Sequence, residues 1–126
     1  SARALASEIE RDFPKGIEVV AVEAFPASLP FYLGRPLIVA SADGAYLRSN
    51  YILRRYPQLV GDSGTLRSPA WLASASRDCA TPRAFVVRRR NEGARAELAS
   101  AGRPMFESGR DFIVFGLCTE LGRVPR

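Results

Sequence analysis

The sequence predicts a single layered α/β domain with a mainly parallel sheet of about five strands. Three observations carry this. The chain has 126 residues with 47% hydrophobic and 25% charged side chains, which is one ordinary globular core and too little for two. Apolar β-branched runs alternate with stretches of helical periodicity, the pattern of β-α-β units. The runs PLIVAS and FIVFGL are apolar without alternation, as strands covered on both faces require.

The elements follow in order. Ala2, Leu5, Ile9 and Phe13 fall near helical spacing, and Pro14-Lys15-Gly16 ends that helix. Ile17 to Phe25 reads as a strand through Val19, Val20 and Val22, with Glu18 and Glu23 at its ends. Ser28 is placed to cap a short helix through Leu33 at the C-terminal edge of that strand, with Pro30 in its first turn and Gly34 after it. Pro36 to Ser41 is the second strand. After the turn signal Asp43-Gly44, Ile52, Leu53, Tyr56, Leu59 and Val60 share one helical face. Gly61 to Gly64 reads as loop. Ser68-Pro69 opens a further helix, whose inner side is Leu72, Ala75 and Cys79. Ala84 to Val87 is the third strand. Asn91 caps a helix with Ala94, Leu98 and Ala101 inward, and Gly102 stops it. Met105 to Glu107 is a weak strand, Phe112 to Leu117 a strong one, and residues 119–126 read as a tail. Right-handed crossovers and a closing hairpin give the order 2-1-3-5-4, with the last strand antiparallel.

Composition excludes several chemistries. With no histidine, Ser-His-Asp and Cys-His catalysis and imidazole metal sites are absent. Neither a G-x-G-x-x-G nor a G-x-x-x-x-G-K-[ST] loop is present, so no nucleotide cofactor is expected, and no other cofactor is indicated. Clustered carboxylates such as Glu8, Glu10 and Asp12 read as an exposed helix face. The longest apolar run, Phe112 to Cys118, is far short of the ~20 residues of a membrane span. No signal peptide is visible, and the first residue is Ser1, which leads us to expect an excised fragment or a processed product.

Charge is unevenly spread. Residues 1–44 carry a net −2, residues 45–95 a net +7, and residues 96–126 are neutral. A basic middle favours polyanions, or is a solvated arginine face. Arg88, Arg89 and Arg90 follow a strand end, where parallel sheets bind ligands. They form either an anion site or a solvated loop. Tyr46, Tyr51 and Tyr56 interleave with arginines but do not share a helix face, so no nucleic acid is expected.

Cys79 precedes the third strand and Cys118 follows the last. With those strands antiparallel neighbours, both sulfurs reach one end of the sheet. They form either a disulfide or two buried thiols. A disulfide closes a loop of about 40 residues, worth roughly 3–4 kcal/mol, and implies an oxidising compartment.

Ser28-Leu29-Pro30-Phe31-Tyr32-Leu33-Gly34-Arg35 concentrates two aromatics and an arginine on one short helix. Either Leu29, Phe31 and Leu33 pack it on the sheet, or Tyr32 and Arg35 face outward to a lipid or partner domain. At this segment the chain resembles the C-terminal soluble region of bacterial family 39 glycosyltransferases, relatives of aminoarabinose transferases and protein O-mannosyltransferases. The resemblance covers SARALA, VVAVEAFPASLPFYLGRPLIVAS, LRSNYILRRY, GTLRSPAWL, PRAFVV and FIVFGLC in that order. It implies a fragment of an integral membrane enzyme that takes a sugar from a polyprenyl-phosphate donor at the periplasmic face of the bacterial inner membrane. The catalytic acids of that family lie in loops between transmembrane helices, outside this chain, so the domain is expected to be a non-catalytic accessory. Its implied partners are the transmembrane part of the same polypeptide and anionic lipid headgroups or the polyprenyl-phosphate sugar, with about 1 kcal/mol per arginine near a membrane surface. Phe31, Tyr32, Arg35, Ser49, Asn50 and Tyr51 are the contact candidates, with Arg88 and Arg89 from the basic edge. The alternatives are a free-standing α/β module that binds an anionic ligand through an arginine-rich face, and a small enzyme using carboxylates and arginines.

Overall fold

A computed structural model describes residues 2–24, 28–42, 66–108 and 111–116. The elements run α1 (Ala2–Asp12), β1 (Glu18–Val22), α2 (Leu29–Leu33), β2 (Ile38–Ala40), β3 (Leu66–Arg67), α3 (Pro69–Arg77), β4 (Arg83–Arg88), α4 (Glu92–Ser100), β5 (Met105–Ser108) and β6 (Phe112–Phe115). The sheet order is β3-β2-β1-β4-β6-β5. β1 to β4 are mutually parallel, and β6 runs antiparallel to both β4 and β5.

The expected order therefore stands with one correction: a sixth strand, β3, lies outside β2. Two residues are too few to show a period in sequence. The apolar run Phe112–Phe115 sits between β4 and β5, and the half-polar β5 takes the edge.

The period-2 alternation of the strands divides the core into two layers. Val19, Ala21, Ala84, Val86 and Val114 face α1 and α2, where Leu5, Ile9, Leu29 and Leu33 meet them. Val20, Val22, Phe85, Val87, Ile113 and Phe115 face the other way, against Leu72 of α3 and Leu98 of α4. Travel across the sheet goes from β1 outward to β3, then back past β1 to β4. The helices change face with that reversal, as a fixed crossover hand requires.

Two helix starts match the sequence reading. Ser68 Oγ accepts the Trp71 N–H at 3.2 Å, and Asn91 Oδ1 accepts the Ala94 N–H at 3.1 Å. Ser28 differs: its side chain makes no capping bond, and its backbone is already helical. Gly34 ends α2 at φ 72°, a left-handed conformation that favours glycine. α3 ends at Arg77, so Cys79 lies beyond the helix, half-buried, and Ser76 takes the inner position instead. The helix expected over Ile52 to Val60, the tail 119–126, and Ser49, Asn50, Tyr51 and Cys118 lie outside the described residues.

Candidate functional site

The two ends of the sheet carry different chemistry. At the end where β1 and β4 begin, arginines are consumed in holding elements together. Arg103, 3% exposed, donates to the carbonyls of Ser76 (2.8 Å), Ala75 (3.2 Å), Asp78 (3.1 Å) and Gly116 (3.1 Å). Ala75 and Ser76 are in the last turn of α3, the negative end of the helix, which attracts a cation. Burial, helped by the nearby Arg83 charge, pushes the Arg103 guanidinium below its ordinary pKa, and Asp78 acts against this.

Arg83 completes this end. It pairs with Glu18 at 2.6 Å and Asp78 at 3.2 Å, and lies 5.5 Å from the Trp71 ring centroid. Asp78 is held below the ordinary aspartate range, first by the Ala80 N–H, then by Arg83 and Thr81.

Arg35 belongs to the same category. Its Nε and Nη2 donate to the Ile17 carbonyl at 3.1 and 2.9 Å, and Nη1 donates to Glu10 at 2.9 Å and to the Leu33 carbonyl at 3.3 Å. This corrects two expectations. Arg35 turns inward to tie α2 to α1 and β1 rather than reaching outward. The end of α2 also lies by the start of β1, since the helix runs back along the sheet face. Glu10 is likewise drawn into this tie, although its helix face reads as simply solvated.

Phe31 and Tyr32 stand out on the other side of α2. They are 81% and 45% exposed, stacked edge to face with centroids 5.2 Å apart. Leu29 and Leu33 are the buried side chains of this helix, and the exposed Phe31 does not pack on the sheet. A five-residue helix has too few turns for its pattern to reveal this.

At the opposite end β1 to β4 finish, and the strand order reverses there between β1 and β4. Ligands of open α/β sheets bind in the crevice at such a point. Glu23 closes β1 with φ 47°, a left-handed conformation unusual outside glycine. Its carboxylate accepts from the Ser41 hydroxyl and the Ala42 N–H, both at 2.9 Å. The Ser41 N–H in turn donates to the Arg67 carbonyl at 3.1 Å, so the ends of β1, β2 and β3 are laced together. The sequence marks Glu23 as a strand end and gives no sign of this bridge.

Next to it, Arg88, Arg89, Arg90 and Asp111 line a cavity of about 260 Å³. The turn is fixed by backbone bonds from Asn91 N–H to the Arg88 carbonyl (2.9 Å) and from Arg89 N–H to the Asp111 carbonyl (2.8 Å). Arg95 reinforces it by donating to the Arg89 carbonyl at 2.8 Å, and the Arg88 guanidinium lies 5.5 Å from the Phe112 ring centroid. The sequence-predicted arginines are thus gathered at one strand end, far along the chain from Phe31 and Tyr32. Asp111, the residue before β6, joins them.

Among the described residues no group of three or more Cys, Asp and Glu side chains could hold a metal ion, and no helix is long and apolar enough to cross a membrane.

No protein-family profile matches the chain, and no curated protein matches it. Solved structures do. The fold is similar to the crystal structure of ArnT from Cupriavidus metallidurans in the apo state, with a TM-score of 0.58 and 18% identity over 98% of this chain. It is also similar to the same organism's ArnT bound to undecaprenyl phosphate, with a TM-score of 0.61 and 15% identity over 98% of this chain. In both cases the chain spans 21% of the length of the protein it matches.

Proposed function

We propose that this chain is the accessory domain of a membrane glycosyltransferase that uses a polyprenyl-phosphate donor, and that it sits at the periplasmic face of the inner membrane. The observation that carries the reading is the extent of the fold match. Nearly the whole chain superposes on about a fifth of ArnT, which one of those structures holds bound to undecaprenyl phosphate. The ordered resemblance of SLPFYLGRP and its flanking segments to family 39 glycosyltransferases points the same way.

In this reading the domain is non-catalytic. The arginines at the start of the sheet serve the fold, and the outward Phe31–Tyr32 pair meets the transmembrane part of the same polypeptide. Cys79 and Cys118 form a disulfide suited to an oxidising compartment. Its support is topological: β6 lies antiparallel beside β4, so the chain leaving Phe115 and the chain entering Arg83 share one end of the sheet. A thiol titration of the unfolded, unreduced protein is expected to find none, and two thiols would reject the bridge.

The test of the main reading begins with the coding DNA upstream of Ser1. Several apolar segments of about 20 residues are expected there. The whole protein, in lipid, should then transfer sugar from a polyprenyl-phosphate donor, while the 126 residues alone should not. A start codon or cleavable signal directly upstream, or transfer by the isolated chain, would overturn the reading.

A further inference from the structure

We propose that the cavity at the end of β4 is a recognition site for a phosphate-bearing anion. This inference stands on the cavity and does not require the glycosyltransferase reading.

Four residues line the space, three arginines and Asp111. A concavity lined mainly by arginines favours an anionic ligand over a cationic one. Arginine suits phosphate in particular, because its planar fork donates two parallel hydrogen bonds to paired oxygens. The cavity volume of about 260 Å³ admits a phosphate or diphosphate group.

The site is preorganised rather than a loose basic loop. The Asn91 and Arg89 backbone bonds fix the turn, and the Arg95 bond to the Arg89 carbonyl braces it from α4. Arg88 is set against Phe112, which limits its swing. Arg88 and Arg89 are half-buried while Arg90 is exposed, so the cluster has an inner and an outer member. The site lies at the C-terminal end of β4, the edge at which parallel strands present ligand sites, on the side of its antiparallel neighbour β6.

A phosphate group of this kind comes either from a soluble phosphate compound or from a lipid headgroup, and the experiment separates the two. Backbone amide NMR shifts of the 126-residue chain are followed against inorganic pyrophosphate. Flotation with vesicles of phosphatidylglycerol and phosphatidylcholine, against phosphatidylcholine alone, runs in parallel. Arg89→Gln/Arg90→Gln is the site variant. Arg3→Gln/Arg77→Gln removes the same charge from exposed positions on α1 and α3.

The expected result is a saturable shift confined to residues 88–92 and 111, weakened about tenfold or more in the site variant and nearly unchanged in the control. Binding of pyrophosphate without vesicle flotation assigns a soluble phosphate ligand. Flotation that fails in the site variant and persists in the control assigns a lipid headgroup. Each supports the site. Shifts spread over all basic residues, equal loss in both variants, or no saturation by either probe would overturn it.

Discussion

The Arg103 guanidinium lies 4.6 Å from the Phe85 ring centroid, and both residues are almost fully buried. Phe85 is at the heart of β4 and Arg103 is in the turn that follows α4. Their contact places a charge under the sheet end, where it gathers carbonyls from α3, the segment entering β4 and the end of β6. A buried cation is tolerable only when its donors are matched, and here each nitrogen faces at least one carbonyl.

Arg103→Met is therefore expected to destabilise the chain by about 3 kcal/mol, because it strands several buried carbonyls at once. Arg103→Lys should recover less than half of this, since one ammonium cannot span partners on three elements. Urea unfolding measures both. A loss below about 1 kcal/mol for the methionine variant would show that water replaces the guanidinium freely.

The serines at the starts of α3 and α2 make a matched contrast. Ser68→Ala removes the bond to the Trp71 N–H and should cost about 1 kcal/mol. Ser28→Ala removes no capping bond and should stay within about 0.5 kcal/mol of the parent. Equal losses in urea would mean that Ser28 caps α2 after all.

These cases show what is legible in a sequence. The strand order was readable because the apolar demand of FIVF and the half-polar pattern of MFES assign centre and edge without further information. The caps at Ser68 and Asn91 were readable because capping is local. β3 was not, having only two residues, and neither was the outward turn of Phe31 on a five-residue helix. Arg103 drew no reading and Arg35 drew an outward one, for another reason. Their roles depend on which carbonyls converge in space, and nothing adjacent in the chain reports that. The triple arginine at the end of β4 was visible as charge, while its carboxylate neighbour Asp111 arrived only through the β5–β6 pairing.

Gly116 is required for space and not for its backbone angle. A Cβ there would meet Phe106 Cε2 at 2.8 Å and Phe13 Cε1 at 2.9 Å. Those rings are stacked edge to face with centroids 5.7 Å apart, so neither yields without disturbing the other. Gly116→Ala should cost about 1–3 kcal/mol. Adding Phe106→Leu should reduce the alanine penalty, and a double-mutant cycle in urea reads the coupling. Strict additivity would show that the backbone shifts instead of the rings.

Asp78 is expected to contribute an acid limb to the stability. Its folded pKa is lowered, so between the unfolded value and that lower value the unfolded chain binds more protons than the folded one. Stability then rises with pH through this window. The contribution is complete above the unfolded value, about 3.9, and is lost as pH falls through the folded one. Asp78→Asn should flatten the slope of urea midpoint against pH in that acid range. An unchanged slope would assign the acid limb to other carboxylates.

The Phe31–Tyr32 pair separates stability from partner contact. Both rings are exposed and meet edge to face, so Phe31→Ala/Tyr32→Ala should leave the urea midpoint within about 0.5 kcal/mol of the parent. Leu29→Ala, one turn away and fully buried, should cost about 2–5 kcal/mol. If the pair meets the transmembrane part of a glycosyltransferase, the double variant should lower sugar transfer by the whole protein in lipid while this domain stays folded. Unchanged transfer would remove Phe31 and Tyr32 from the contact surface, and a large loss of stability would contradict their exposure.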